Sequence, residues 1–408
     1  MPDAAESRSL IALLIFGTTY VVLALGRFPG LRVDRTGASI IGAGLMIGAG
    51  VLTFDEAMGA VDHATLVLLF GMMVIVANLR LSGFFRAVSA WVVRRAHQPK
   101  QLLAGVVAVA GVLSAFFVND TMCIVLTPLV LEVTRTLRRN PVPYLLAVAM
   151  ASNAGSVATI TGNPQNMLIG SLSKISYRAF AAELAPVALI SLGVVYVMIL
   201  SVYREEFRSQ RLEVSEVPLR VHKALLWKSF GVAVLIVVLF FSGVGVASAS
   251  MIGAAILLIT RRVKPAKVYA DVDWQLLALF AGLFIVVAGV ERTSIEREFF
   301  SYAARFGLDR LAVLSLFSAL LSNLVSNVPA VLVFRPVVAK LARPEAGWLA
   351  LAMSSTLAGN FTILGSVANL IVVERASPRV KITFGEYFRV GAPVTIVTLI
   401  LGILWLSR

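Results

Sequence analysis

LSAFFVNDTMCIVLTP at residues 113–128 and LSNLVSNVPAVLVFRP at residues 321–336 carry Ser, Asn and Pro in one register, 208 residues apart. Each is an apolar run interrupted near its middle, by Asn119-Asp120-Thr121 in the first and by Ser326-Asn327-Val328-Pro329 in the second. The surrounding sequence repeats in the same order. VDHATLVLLFGMM from Val61 corresponds to VDWQLLALFAGLF from Val272, and the amphipathic SGFFRAVSAWVVRRA from Ser82 to EREFFSYAARF from Glu296. MASNAGSVATITGNPQNML (150–168) corresponds to MSSTLAGNFTILGSVANLI (353–371), with Thr159/Thr362, Gly162/Gly365 and Asn166/Asn369 aligned. Four blocks in one order with matching polar interruptions mark an internal duplication.

Composition identifies the solvent of these runs. Of 408 residues, 59% are apolar and 14% charged, with a mean hydropathy of +0.89; soluble domains carry about 25% charged residues. A soluble globule of this size could not hide so much apolar surface, and a disordered chain has the opposite bias. Lipid is the solvent. Cys123 is the only cysteine and there are three histidines, which excludes a disulfide scaffold and argues against a zinc or iron–sulfur centre. Charge-poor segments near the length needed to cross about 30 Å of hydrocarbon lie at 9–26, 36–54, 63–79, 144–172, 183–202, 227–243, 246–260, 272–290, 347–373 and 390–406. The opening MPDAAESRSL lacks the basic start and cleavage site of a signal peptide, so the first span is expected to be retained.

With both chain termini extracytoplasmic, and each interrupted run returning to the side it came from, 25 of the 36 basic residues fall on the cytoplasmic side, Arg27, Arg32 and Arg35 among them. This positive-inside bias accounts for the net charge of +14 without nucleic acid. It predicts a multi-pass protein of the inner, cytoplasmic membrane. In this orientation the span at 63–79 runs inward and its twin at 272–290 outward, so the repeats are inverted. The expected fold is an all-α polytopic membrane protein of two inverted repeats, each with a re-entrant helical hairpin and a broken transmembrane helix, the signature of secondary transporters. Residues 1–60 are read as N-terminal scaffold helices. Repeat 1 is 61–202, with its hairpin at about 101–138 and broken helix at 144–172. Residues 203–226 form a charged cytoplasmic linker, and 227–271 connecting transmembrane helices. Repeat 2 is 272–408, with its hairpin at about 309–340 and broken helix at 347–373.

The arms at 101–118 and 121–134 read as short for full crossings, and an aspartate facing lipid at mid-membrane costs at least a few kcal/mol. Two half-helices meeting at a turn beside a wet cavity avoid that cost, so Asn119 and Asp120 are placed at one tip and Ser326–Pro329 at a second, entering from the opposite face. One kinked spanning helix is the alternative; it inverts everything downstream and spoils the charge bias. The second pair of interruptions is Thr161-Gly162-Asn163-Pro164-Gln165-Asn166 and Gly365-Ser366-Val367-Ala368-Asn369, where Gly, Asn and Pro break the helix. Such a break exposes carbonyls suited to Na⁺ and N–H groups suited to an anion. Two tips facing two breaks would enclose one site. Its candidate residues are Asn119, Asp120, Thr121, Ser156, Thr159, Gly162, Asn163, Asn166, Ser326, Asn327, Thr362, Gly365, Ser366 and Asn369, with Na⁺ near Asn119, Asp120 and Gly162 and near Asn327 and Gly365. Asp120 is read as a Na⁺ ligand, a proton carrier or a helix cap, and Arg335 as an anion contact or an interfacial or paired residue. The three histidines, His63, His97 and His222, are read as interfacial, and GAGLMIGAG (42–50) as a surface for close helix packing. No catalytic residues and no cofactor are expected. The chain has no Walker A pattern, so a coupling ion, Na⁺ or H⁺, replaces ATP.

The sequences NDT, LTP, SNVPAVLV, SNAGSVATITGNPQN and GSVANL together resemble the ion transporter superfamily, over about residues 40–408. That group includes ArsB-type arsenite permeases, NhaD-type Na⁺/H⁺ antiporters, citrate-transporter-like permeases and Na⁺/dicarboxylate symporters. The chain looks most like small bacterial citrate-transporter-like permeases, in which a GNPQN loop follows a SNAG-like helix. The resemblance implies a scaffold plus a mobile transport domain, a homodimer and elevator-type alternating access. The dicarboxylate symporters carry Ser-Asn-Thr at each tip, against Val118-Asn119-Asp120 and Ser326-Asn327-Val328 here, so both asparagines are kept and both threonines lost. Their Gly-x-Pro-Pro-Asn loops match Gly162–Asn166 well and Gly365–Asn369 only at its ends. The Asn-Asp and Leu-Thr-Pro pattern is instead similar to arsenite permeases, where Cys123 would be a thiol ligand for trivalent arsenic or simply a small packing residue. The expected function is ion-coupled transport of a small anion or oxyanion. Arsenite or antimonite efflux (the one case with an ATPase partner), Na⁺/H⁺ antiport and, from another class, an intramembrane enzyme are the alternatives.

Overall fold

The computed structural model describes residues 4–27, 30–208, 212, 222–293, 306–377 and 379–408. Among them are nineteen α-helices, two 3₁₀ turns and no β-strand. In the first half these are α1 (Ala4–Leu25), α2 (Arg35–Gly48), α3 (Phe54–Ala60), α4 (His63–Ser82), α5 (Phe84–Arg95), α6 (Pro99–Phe116), α7 (Asn119–Thr136), α8 (Pro141–Ser156), a 3₁₀ turn Ile160–Gly162, α9 (Pro164–Ser173) and α10 (Tyr177–Val202). The second half has α11 (Lys223–Phe241), α12 (Val246–Leu258), α13 (Pro265–Tyr269), α14 (Trp274–Glu291), α15 (Leu311–Val325), α16 (Asn327–Ala339), α17 (Pro344–Ala358), a 3₁₀ turn Ile363–Gly365, α18 (Val367–Ala376) and α19 (Phe384–Leu406). The linker expected at 203–226 is described only at 203–208, 212 and 222–226, and α11 already begins at Lys223. The amphipathic segment from Glu296 lies outside the described residues except for Phe306, whereas its twin forms α5.

Local sequence sets the boundaries. The Asp34 carboxylate caps α2 by accepting from Gly37 N–H at 2.7 Å, Thr53 and Glu56 close a capping box on α3, and α4 ends at Gly83 in the left-handed conformation, φ 85°. Seven of the described helices are long and apolar enough to cross a membrane: α1, α4, α6, α10, α11, α14 and α19. The presence of α6 corrects the reading of its arm as short, since it runs for 18 residues. What makes 99–136 a hairpin is pairing, not arm length. Leu102, Val106 and Val109 of α6 line one small apolar cavity with Val133, Val130 and Leu126 of α7, positions nearly equidistant from the Phe117-Val118 link. The arms of the second hairpin, α15 and α16, have 15 and 13 residues, about 22 and 20 Å at 1.5 Å per residue.

The duplication is wider than the sequence blocks suggest. α2 packs on α14, and α12 packs on α4. At the first crossing a Cβ on Gly282 would lie 2.7 Å from the Ser39 backbone; at the second a Cβ on Gly71 would lie 2.8 Å from the Ser250 backbone. Ser39/Ser250 and Gly71/Gly282 share one separation, 211 residues, and Ala38-Ser39-Ile40-Ile41-Gly42-Ala43 aligns with Ala249-Ser250-Met251-Ile252-Gly253-Ala254. The helices before residue 60 and between 227 and 271 are therefore themselves twins, each docked on the opposite repeat. The duplicated units become α1–α10 and α11–α19.

The two broken helices are built identically. Asn166 Nδ2 donates to the carbonyls of Ser156 and Thr159, both at 3.0 Å; Asn369 Nδ2 donates to those of Gly359 and Thr362 at 2.6 and 3.0 Å. Each asparagine thus staples the same two carbonyls of the break, ten and seven residues back. Gly162 lies against the Ser156 carbonyl too closely for any Cβ.

Gly71→Val and Gly282→Val force apart backbones that cannot yield, and each is expected to cost about 1–3 kcal/mol or more, read as a lower melting temperature in detergent. Gly44→Ala, with nothing within 4 Å of the added carbon, leaves it unchanged or slightly raised. Asn166→Ala and Asn369→Ala orphan buried carbonyls and lower stability by similar amounts, about 1–3 kcal/mol each, measured the same way.

Candidate solute and ion site

The two tips and the two breaks meet around one cavity of about 80 Å³. Its polar wall is Asn119 and Asp120 from the first tip, Ser326 and Asn327 from the second, Gln165 and Ser366 from the two breaks, and Arg35 from the start of α2. Leu23, Leu276, Leu279 and Phe280 supply the apolar wall. Four helices begin at this spot: α7 at Asn119, α9 at Pro164, α16 at Asn327 and α18 at Val367, and the first residue of each lines the cavity. The positive dipole ends of four helices therefore converge, each end equivalent to about half a positive charge. The Arg35 guanidinium adds a full one while its Nε donates to the Leu23 carbonyl at 3.1 Å. Against them stands the Asp120 carboxyl, held against the backbone N–H of Ala368 at the start of α18.

Local chemistry fixes the walls. Asn163 and Ser366 cap α9 and α18 from equivalent positions, accepting from Asn166 N–H at 2.8 Å and Ala368 N–H at 3.3 Å. Ser326 turns the second tip with φ 81° and ψ 161°, a conformation only glycine adopts without strain, costing about 1–3 kcal/mol. Tyr20 of α1 reaches this tip and donates to the Pro329 carbonyl at 3.1 Å. Across the repeats, Asn163 and Gln165 donate to the Thr356 hydroxyl at 3.2 and 3.0 Å. Asn153 bonds Asn360 and Asn369 at 2.9 and 3.1 Å. Each break is thereby tied to the first half of the opposite broken helix.

Of the residues expected at the site, the structure brings Asn119, Asp120, Ser326, Asn327 and Ser366 to the cavity. Ser156, Thr159, Gly162, Asn163, Asn166, Thr362, Gly365 and Asn369 form the packed framework behind it. The carbonyls of Ser156, Thr159, Gly359 and Thr362, read from the sequence as open to Na⁺, are engaged by the two staples. Thr121 follows Asp120 on α7 and does not line the cavity. Arg335 lies outside the lining, 3.7 Å from Glu291, and Cys123 is buried with its sulfur 3.0 Å from the Ser152 hydroxyl. Among the described residues no three His, Cys, Asp or Glu side chains gather as a metal site. The sequence reading missed Arg35, counted as a loop charge, although Asp34 before a glycine-rich apolar run is a helix start that places it on a first turn. It also passed over Gln165, Asn153, Thr356 and Asn360, polar residues inside the quoted repeat blocks.

Comparisons with known proteins agree with this architecture. The crystal structure of the Alcanivorax borkumensis YdaH transporter, described as having an unusual topology, superposes with a TM-score of 0.64 over 100% of this chain and 98% of its own, at 16% identity. The silicon efflux transporter LSI3 of Oryza sativa subsp. japonica is 30% identical over 99% of this chain and 98% of itself. A transporter of Dictyostelium discoideum named arsB is 23% identical over 91% and 87% of the two chains. The citrate transporter family model matches residues 11–358, and the chain, a polytopic α-helical membrane transporter, belongs to that family.

Proposed function

We propose that the protein is an ion-coupled secondary transporter of a small oxyanion or its undissociated acid, bound between the two tips. The observation that carries this reading is the convergence of four helix N-termini and Arg35 on one cavity, an arrangement that favours negative charge and oxygen acceptors. At about 80 Å³ the cavity is far below the roughly 300–1,000 Å³ of pockets for larger organic ligands. A solute of a few non-hydrogen atoms fits it better than a tricarboxylate does. The names of two relatives, a silicon efflux transporter and arsB, favour a metalloid oxyacid over a carboxylate. Asp120 supports the coupling assignment: it is the carboxyl in the cavity wall, beside the Asn119 amide oxygen, which is buried without a partner. It would carry H⁺ or bind Na⁺. Proton-coupled efflux of a neutral oxyacid is a second reading, favoured by that same carboxylate, which opposes an anion whenever it is ionised.

The family resemblance adds a homodimer in which the tips and breaks move together against the remaining helices, and the charge bias adds the cytoplasmic membrane with both termini extracytoplasmic. In that orientation Leu23 and Arg35 stand at the cytoplasmic ends of α1 and α2, so the site sits toward the cytoplasm in this conformation.

Proteoliposome flux of sulfate, phosphate, silicate, arsenite and citrate, under imposed Na⁺ or pH gradients, tests the reading; ion-independent flux, or transport of citrate alone, overturns it. Asn119→Ala and Asn327→Ala are expected to lower transport at least tenfold while the protein stays folded, and Asp120→Asn to remove the dependence on the coupling ion. Arg35→Gln removes a charged partner worth about 1.5–3 kcal/mol. It should raise the half-saturating concentration of an anion about tenfold or more and leave that of a neutral oxyacid unchanged, which separates the two readings.

A further inference from the structure

Asn153, in the last turn of α8, is fully buried and makes four side-chain hydrogen bonds. Its Nδ2 donates to Asn360 Oδ1 at 2.9 Å and Asn369 Oδ1 at 3.1 Å. Its Oδ1 accepts from Asn119 Nδ2 at 2.9 Å and from the Ser366 hydroxyl at 3.2 Å. An amide's oxygen and nitrogen are nearly identical in shape, so orientation must be argued from partners, and here the partners leave one solution. Backbone carbonyls only accept. Asn369 must therefore turn its nitrogen to the Gly359 and Thr362 carbonyls, and Asn360 its nitrogen to the Met150 carbonyl at 3.1 Å. Both then show oxygen to Asn153, which must answer with nitrogen and present its own oxygen to Asn119. Ser366 agrees: its hydroxyl already accepts from Ala368 N–H, which leaves its proton for Asn153 Oδ1. Asn119 must give its nitrogen to Asn153, so its oxygen is the atom left for the cavity. That oxygen is buried and unpartnered, on a residue 2% exposed that lines the cavity beside Asp120.

We infer that Asn153 is a positioning residue. It fixes the polarity of the Asn119 amide, so that this corner of the site offers two oxygen acceptors, Asn119 Oδ1 and Asp120, to a cation or a hydroxyl proton. The polarity is set by backbone carbonyls of the second repeat's break and of α8, acting through Asn369 and Asn360, and passes through Asn153 to the first repeat's tip. In the second repeat the position equivalent to Asn153 is Thr356, a single hydroxyl that accepts from Asn163 and Gln165, and it holds no such relay. This role rests on the proposed function in one respect, namely that the cavity binds a coupling ion or a hydroxylated solute.

The test is the melting shift and the uptake kinetics of the full-length purified protein in NaCl against choline chloride, across a pH series, and with silicic or arsenous acid. In Asn153→Ala the Asn119 amide is free to turn. The half-saturating concentration of the responding cation or acid is expected to rise about tenfold, with the maximal rate within about twofold of wild type. In Asn119→Asp residue 119 shows oxygen whichever way it turns, so adding Asn153→Ala to that background changes half-saturation by less than about twofold. An equal rise in both backgrounds, or a fall in maximal rate alone, overturns the positioning role. If Asn153→Ala does not yield folded protein, Asn360→Ala, which removes one of the two anchors, carries the same comparison with a smaller rise expected. A wild type that responds to none of these ligands overturns the proposed function together with this inference, whereas a responding wild type matched by its variants overturns only the inference.

Discussion

In hydrocarbon a backbone carbonyl or amide without a partner costs several kcal/mol, and the architecture of this protein follows from how it meets that constraint while interrupting helices. Two transmembrane helices are broken and two hairpins turn, and each of these four interruptions leaves one set of carbonyls and one set of N–H groups. At the breaks carbonyls are satisfied from within: Asn166 and Asn369 fold back over them with the same geometry. The four helix N-termini meet at a cavity. The interruptions thereby gather four positive helix ends at one place, an arrangement that favours a solute bearing oxygen.

The pairing between repeats makes that gathering rigid. The first half of each broken helix bonds the break of the other, through Asn153 in one direction and Thr356 in the other. The outer helices cross over as well, α2 to α14 and α12 to α4, at points where a serine backbone meets a glycine. The first hairpin's α7 packs on α18 and the second's α16 on α9. Neither half encloses the site alone. A tip from each repeat and a break from each repeat are needed to close about 80 Å³ of space.

Much of this was legible in the chain because lipid leaves a sharp record. A polar triplet inside an apolar run, or Gly, Asn and Pro clustered at mid-span, has few structural solutions, and helices do restart at Asn119, Pro164, Asn327 and Val367, within the quoted interruptions. The duplication of α1–α3 in α11–α13 was less legible, because small apolar residues such as those at 38–43 and 249–254 align by chance too easily until a backbone contact singles out Ser39 and Ser250. Roles within the site were least legible. Asn166 reads as a ligand and serves as a staple. Arg35 reads as one more cytoplasmic charge and walls the cavity. Side-chain direction separates these cases, and a helical break carries no periodicity from which direction can be read.

The second tip holds Val328 where the first holds Asp120. Two separate copies of the first half, assembled as a symmetric pair, would bring a pair of acids to that small chamber, where like charges at close range resist ionising together. In this polypeptide the two halves differ, so that a single carboxyl stands in the wall. One proton is then enough to leave that wall without a negative side chain, where a symmetric pair would need two.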